Sequence, residues 1–335
     1  MLHALRPMLM LAIVMGLGCK HDAGRGRVVL YCSVDQAVAE SVIAEFEKAA
    51  GIKVLARFDT EASKTVGLVQ RLRAEKARPV ADVFWSSEVF YTVRLAGEGV
   101  FAPCRSAQTA DWPVAYADPN GRWYGFGLRA RAIVYNTQRV QSGESPGSLE
   151  DLLAAKWRGR LVMASPQFGT TGGDIASWLA HYGQDRFAEI LKALAANRVR
   201  LVDGNSTVVR MVAQGRADVG LTDTDDVYAG QRNGWAVAMN PLDQAGDGPL
   251  AIPNTVAMVQ GCPHPTQAQV LMDFLLSEQV ERLLAASDAH NSPIRPQLAG
   301  QFKEYAILRS LNIQYDHIAE CVPQALQMAR ETLYP

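Results

Sequence analysis

Several carboxylates stand just after short apolar runs that read as strands. Asp35 follows Arg27–Cys32, Asp59 and Glu61 follow Ile52–Phe58, Glu88 follows Ala81–Trp85, and Asp223, Asp225 and Asp226 follow Asp218–Leu221. Parallel strands of one sheet present their carboxyl ends along a common edge, so these acids can face one another. Like charges crowded into a partly dry crevice need a counter-charge. A hard cation with oxygen ligands would supply it. Plainer roles exist for each. Asp223 or Asp225 can cap the helix that follows, and Asp35 and Glu61 suit helix starts, where the dipole favours negative charge. Asp225-Asp226 is harder to dismiss, because capping needs only one acid.

Groups that suit an anion lie alongside. Arg129 and Arg131 sit in an extended run. Gly204-Asn205-Ser206 and Gly169-Thr170-Thr171-Gly172-Gly173 each open a helix, where exposed N–H groups favour phosphate, carbonate or carboxylate. The alternatives are an ordinary N-cap for Ser206 and a structural ion pair for Arg131. Trp85, Trp123 and Tyr124 can wall a cleft or fill a core, and His290 is either a metal ligand or part of a polar turn.

Other chemistry has less footing. Gly125-Phe-Gly127-Leu-Arg-Ala130 matches a dinucleotide pattern, but a strand-like run follows where a helix is required. Asp223-Thr-Asp225 after a strand resembles the motif of Mg-dependent phosphatases with an Asp nucleophile, although that motif usually sits near a domain start. H-E-x-x-H does not occur.

These groups must be placed by a chain of 335 residues, 48% hydrophobic and 20% charged, with 33 Lys+Arg against 34 Asp+Glu. That composition excludes a mostly disordered chain. A net charge of −1 argues against bulk electrostatic capture of nucleic acid. Residues 8–18 are apolar or Gly after a short basic start. They are too few to span a bilayer, which takes about 20, but suit a secretory signal. Gly16-Leu17-Gly18-Cys19 resembles a lipoprotein cleavage site, with Gly16 where Leu is usual, and implies lipidation at Cys19 and a membrane anchor. The remaining Cys32, Cys104, Cys262 and Cys321 form no C-x-x-C pair and read as small hydrophobes with at most one bridge.

Past this leader, strands and helices alternate. Helices are expected over Gln36–Ala50, Ser63–Ala77 and Val89–Gly97. Two strand-like runs, Trp123–Leu128 and Arg131–Tyr135, follow with no helix between them. A second set has helices at Gly172–His181, Asp185–Ala196, Ser206–Gln214 and Asp226–Asn233, then a strand Thr255–Val259 and one long helix Thr266–Ala286. Such alternation implies right-handed crossovers and mostly parallel sheets. The expected fold is α/β with two lobes joined by extended crossings. The expected division is signal 1–18, tether 19–26, lobe 1 from 27–129 plus 254–295, lobe 2 from 130–253, and a helical tail 296–335.

Leu30-Tyr31-Cys-Ser-Val-Asp35, Ala81-Asp-Val-Phe-Trp-Ser86, Val134-Tyr-Asn-Thr137, Trp157-Arg-Gly-Arg160, Gly204-Asn-Ser206 and Asp273-Phe-Leu-Leu-Ser277 occur in an order and spacing that resembles the periplasmic solute-binding proteins of ABC importers, closest to the ferric-ion-binding group. The resemblance runs from about Arg27 to Pro296. It implies lobes that close on a ligand, a monomer that performs no chemistry on its solute, and delivery to an ABC permease and its ATPase. It further implies iron(III) or another hard cation with carbonate or phosphate. By this resemblance the metal ligands are Asp35, Glu88, Asp225, Asp226 and Tyr228. Ser87, Arg129, Arg131, Thr170, Thr171, Asn205, Ser206, Asp223, Asp59 and Glu61 are the other ligand-binding candidates. The chain departs from the group where Asp225-Asp226 replaces a tyrosine pair, Asp35 a histidine, and Ser87 a glutamate. A phosphonate, another organic anion or a cationic organic solute is the alternative cargo.

Overall fold

The computed structural model describes residues 26–59, 65–167, 169–307 and 309–334. The leader, Cys19 and Glu61 lie outside these residues. Val28, Leu30 and Cys32 alternate with Val29 and Tyr31, so β1 (Arg27–Cys32) is apolar on both faces and takes an inner position. It pairs in parallel with β2 (Lys53–Phe58) and β3 (Val83–Ser86). The crossovers are α1 (Gln36–Ala50) and α2 (Val66–Ala74). Ala39, Val42 and Phe46 bury one face of α1 at the three-to-four spacing of a helix. The helix ends at Gly51, whose φ of 66° is a left-handed turn available to glycine at little cost. α3 (Phe90–Gly97) and β4 (Phe101–Ala102) complete this part.

The two strand-like runs before Asn136 are one buried strand of 13 residues, β5 (Tyr124–Asn136). Its first half pairs antiparallel with β10 (Ala251–Val259) in lobe 1. Its second half pairs with β8 (Val219–Asp223) and β9 (Val237–Pro241) in lobe 2. β6 (Leu161–Ala164) and β7 (Arg200–Val202) run parallel to β8 in this second half-sheet. The main strand path is therefore β2-β1-β3-β10-β5-β8-β6-β7. The dinucleotide-like glycines lie inside β5, as the strand-like residues after them imply.

In lobe 2, α4 (Leu149–Leu153) starts on a Ser148/Asp151 capping box. The next helix, α5 (Gly169–Ala196), is interrupted at Gly183, the division expected between residues 181 and 185. α6 (Asn205–Ala213) and α7 (Thr224–Arg232) follow β7 and β8. The single helix expected over 266–286 is two, α8 (Pro265–Leu275) and α9 (Glu278–Ala286). Ser277 makes the division, because its hydroxyl accepts from the Val280 N–H and caps the second helix. In the tail, α10 (Pro296–Ala299) packs on α9, and α11 (Tyr315–Leu333) packs on α5 and α3, so it touches both lobes.

Trp85, Trp123 and Tyr124 are buried. Trp85 packs against Phe126 with ring centroids 5.8 Å apart, and the Tyr124 hydroxyl donates to the Cys104 carbonyl. All three serve the core. Among the described residues, Cys104, Cys262 and Cys321 are free thiols.

Candidate functional site

The carboxyl ends of strands from both half-sheets meet at one cleft. From lobe 1 come Val34, Asp35 and Val38 after β1, Ser87 after β3, Asn254 in β10, and Ala289 and Asn291 after α9. Lobe 2 contributes Ala164, Gly169, Thr170, Asp203, Gly204, Asn205, Asp223, Asp225 and Asp226, and Arg129 of β5 lies between. The cavity is about 60 Å³, a space for an ion with a few companion atoms rather than a sugar or peptide. Because these residues follow strands and precede helices, the N-termini of α1, α5, α6 and α7 all open on this side. Their partial positive charge offsets part of the acidity.

Asp223 is the hub of the lobe-2 wall. It is buried, and its Oδ1 accepts from Arg131 Nη1 at 2.5 Å. Its Oδ2 accepts from Thr170 Oγ1 at 2.6 Å, Asn205 Nδ2 at 2.8 Å and Arg129 Nε at 3.3 Å. One carboxylate thereby ties together the first turns of α5 and α6, both arginines of β5 and the N-cap of α7. Burial opposes its charge, but Arg131 and Arg129 outweigh burial and hold its pKa below the ordinary carboxylate range. Arg131 also donates to Asp174 at 2.9 Å. Asp174 shares that one guanidinium, so burial prevails there and pushes its carboxyl up to about 6. Burial likewise works against Arg129, and Asp225, Asp223 and Asp226 overcome it to raise its pKa.

Oxygen atoms of Asp223, Asp225 and Asp226 lie within 4.8 Å of one another. Four donors occupy Asp223, and Asp225 and Asp226 line the cleft beside it. Arg129 Nε stands 3.7 Å from Asp225. Arg129 and Arg131 together balance Asp223 and Asp174. Asp35, Asp203, Asp225 and Asp226 add four further carboxylates to the cleft lining.

Of the residues singled out from sequence, Asp35, Ser87, Arg129, Thr170, Asn205, Asp223, Asp225 and Asp226 meet at this cleft. Glu61 lies outside the described residues, and the remaining candidates sit elsewhere. Glu88 is buried behind the wall, where its carboxylate accepts from the backbone N–H groups of Phe90 at 2.7 Å and Tyr91 at 3.1 Å and from Ser86 Oγ. Arg131 lies beneath the surface in the Asp223–Asp174 network. Thr171 is buried, 3.4 Å from Asn205 Oδ1, and Ser206 is exposed in the first turn of α6. Asp59 accepts from the Leu68 N–H at the start of α2. Tyr228 points to His290 and Tyr305.

Sequence reasoning passed over Asp203, Asn254 and Asp174. Asp203 follows β7 and obeys the same strand-end rule as the other acids. Asn254 stands at an irregularity in the pairing of β10, and Asp174 lies inside a helix, where nothing in the sequence marks it. The first Asp of the phosphatase-like pair is Asp223, whose lone pairs face two guanidinium groups, an arrangement unsuited to nucleophilic attack.

Two lobes sharing crossing strands, with a small polar cleft at the strand ends, define a solute-binding protein of the two-lobed class. The chain belongs to the bacterial extracellular solute-binding protein family, which it matches over residues 78–315. It is 29% identical over 283 residues to iron uptake protein A1 of Synechocystis sp., covering 81% of this chain and 76% of that protein. With the Fe(3+)-binding periplasmic protein of Serratia marcescens it shares 26% identity over 293 residues, 85% of each chain. Iron-bound HitA of Pseudomonas aeruginosa has the same fold, with a TM-score of 0.79 and 24% identity over 91% of this chain and 99% of that one. These relatives are binding proteins rather than enzymes. Among the described residues, no helix is long and apolar enough to cross a membrane.

Proposed function

We propose that this protein captures a hard cation, iron(III) foremost, together with carbonate or phosphate, and delivers it to an ABC permease and its ATPase. The observation that carries this reading is the acidic cleft, with Asp35 on one lobe facing Asp225, Asp226 and Asp203 on the other and Asp223 spent on organising the wall. Four carboxylates around a cavity of about 60 Å³ suit a small multivalent ion with oxygen ligands. Arg129 and the N-termini of α5 and α6 suit its companion anion. The names of the iron-uptake and Fe(3+)-binding relatives support the choice of metal. Capture brings lobe 2 (130–253) against lobe 1 (27–129 plus 254–295). The protein acts as a monomer in the periplasm or at the cell surface, held by a lipid on Cys19.

Calorimetric titration with iron(III) plus carbonate or phosphate, with Ca²⁺, and with 2-aminoethylphosphonate without metal tests the reading. Iron(III) with an anion is expected to bind, and Asp225→Asn/Asp226→Asn to weaken it at least a hundredfold. Binding of the phosphonate alone, undiminished in the double variant, would overturn it. The anchor is checked separately, since Cys19→Ser should move the protein from the membrane to the soluble fraction.

A further inference from the structure

α7 carries Asp225 and Asp226 in its first turn, with Tyr228 and Arg232 further along. It packs on α6 and β9 and so moves with lobe 2. Tyr228 and Arg232 are four residues apart and share one helix face. That face meets the segment after α9. The Tyr228 ring stands edge-on to His290 at 5.2 Å and 88°, and to Tyr305 at 5.2 Å and 79°. His290 lies flat on Tyr305 at 4.0 Å and 13°. Beside the rings, Arg232 pairs with Asp288.

The receiving segment is fastened to lobe 1. Ser292 and Leu128 exchange two backbone hydrogen bonds of 2.7 Å, and Asn291 Oδ1 accepts from Asn254. Tyr305 lies on the stretch between α10, packed on α9, and Leu311, whose N–H donates to the Pro249 carbonyl of lobe 2. His290 itself has φ 45°, a left-handed conformation uncommon outside glycine, which persists where surrounding contacts hold it. Its two neighbours, Ala289 and Asn291, line the cleft, as does Asp226 at the other end of the contact.

We infer that Tyr228, His290 and Tyr305 are positioning residues that hold α7, and with it Asp225 and Asp226, against lobe 1 by ring packing. Tyr228 then serves capture through its ring contacts and not as a phenolate ligand. The ligand half of this inference rests on the cation reading of the cleft, and the shape half does not.

Two measurements on the full chain test it. Small-angle scattering of the ligand-free protein should show Tyr228→Phe as compact as wild type, and Tyr228→Ala and Tyr305→Ala more open. Dissociation of iron(III)–carbonate should be unchanged in Tyr228→Phe and about tenfold faster in either Ala variant, the effect of losing ring pairs. Arg232→Ala, on the exposed rim, should shift both readings the same way and guards against misfolding of the ring variants. The inference is overturned if Tyr228→Phe behaves like Tyr228→Ala or removes a visible phenolate-to-iron charge-transfer band, and equally if all variants scatter and release like wild type. If iron(III) does not bind at all, the cleft reading fails and scattering alone decides the ring contact.

Discussion

Replacing Asp223 with alanine separates an organising acid from a liganding one. The substitution removes one carboxylate and strands two buried guanidinium groups, Arg131 at 2.5 Å and Arg129 at 3.3 Å, along with Thr170 and Asn205. Breaking a buried ion pair from one side costs about 3–5 kcal/mol. At roughly 2–4 °C per kcal/mol for a domain the size of a lobe, the melting temperature should fall by about 10 °C. Asp223→Asn keeps an oxygen for Arg131 and should lose about half as much. Asp203→Ala removes a cleft acid outside this network and should stay within about 2 °C of wild type. Thermal unfolding of the ligand-free protein by circular dichroism at pH 7 reads all three. The pH dependence has a definite sign. The folded pKa of Asp223 lies below its ordinary 3.8, so its contribution is present above that value and disappears as pH falls through the folded pKa. The gap between wild type and Asp223→Ala should therefore hold from pH 7 to pH 5 and narrow only in stronger acid. A melting temperature for Asp223→Ala within 2 °C of wild type, or an equal loss in Asp203→Ala, would refute the hub.

Two further expectations follow from the wall behind the cleft. A Cβ on Gly173 of α5 would stand 2.0 Å from the Phe90 ring of α3. Gly173→Ala should therefore lower stability by about 1–2 kcal/mol through overpacking between the lobes, against the gain of about 1 kcal/mol that helix propensity alone predicts; a rise in melting temperature would contradict this contact. Burial pushes the Glu88 carboxyl up to about 7 from 4.5, although the Tyr91 and Phe90 N–H groups, Ser86 and Arg129 oppose it. Its folded pKa is raised, so its stabilisation is complete below pH 4.5 and lost as pH rises through 7. Glu88→Gln should match wild type near pH 4.5 and exceed it at pH 8 by up to about 3 kcal/mol in urea unfolding, and equal stability at pH 8 would exclude the effect.

How far the site could be read in advance varies residue by residue. Asp35, Asp225 and Asp226 were legible because a strand end is a local feature and adjacent acids exceed the needs of a cap. Glu88 obeyed the same rule and lies elsewhere, because its side chain turns back to the N–H groups at the start of α3. Asp203 needed only the same rule applied to β7. Asp174 had no signal at all, since its role depends on Arg131 reaching it from a strand 43 residues away in sequence.

Alternation of strands and helices, the two-lobed α/β class and the gathering of acids at strand ends were determined by the sequence itself. Burial periodicity and chain connectivity suffice to specify them. Which acid organises and which faces the cargo was decided only in three dimensions. Asp223 and Asp225 are both acids at the start of α7, and only Asp223 falls opposite Arg131 in the β5–β8 register. The ring contacts of Tyr228 with His290 and Tyr305 have the same cause, the packing of α7 against a loop and tail distant in sequence.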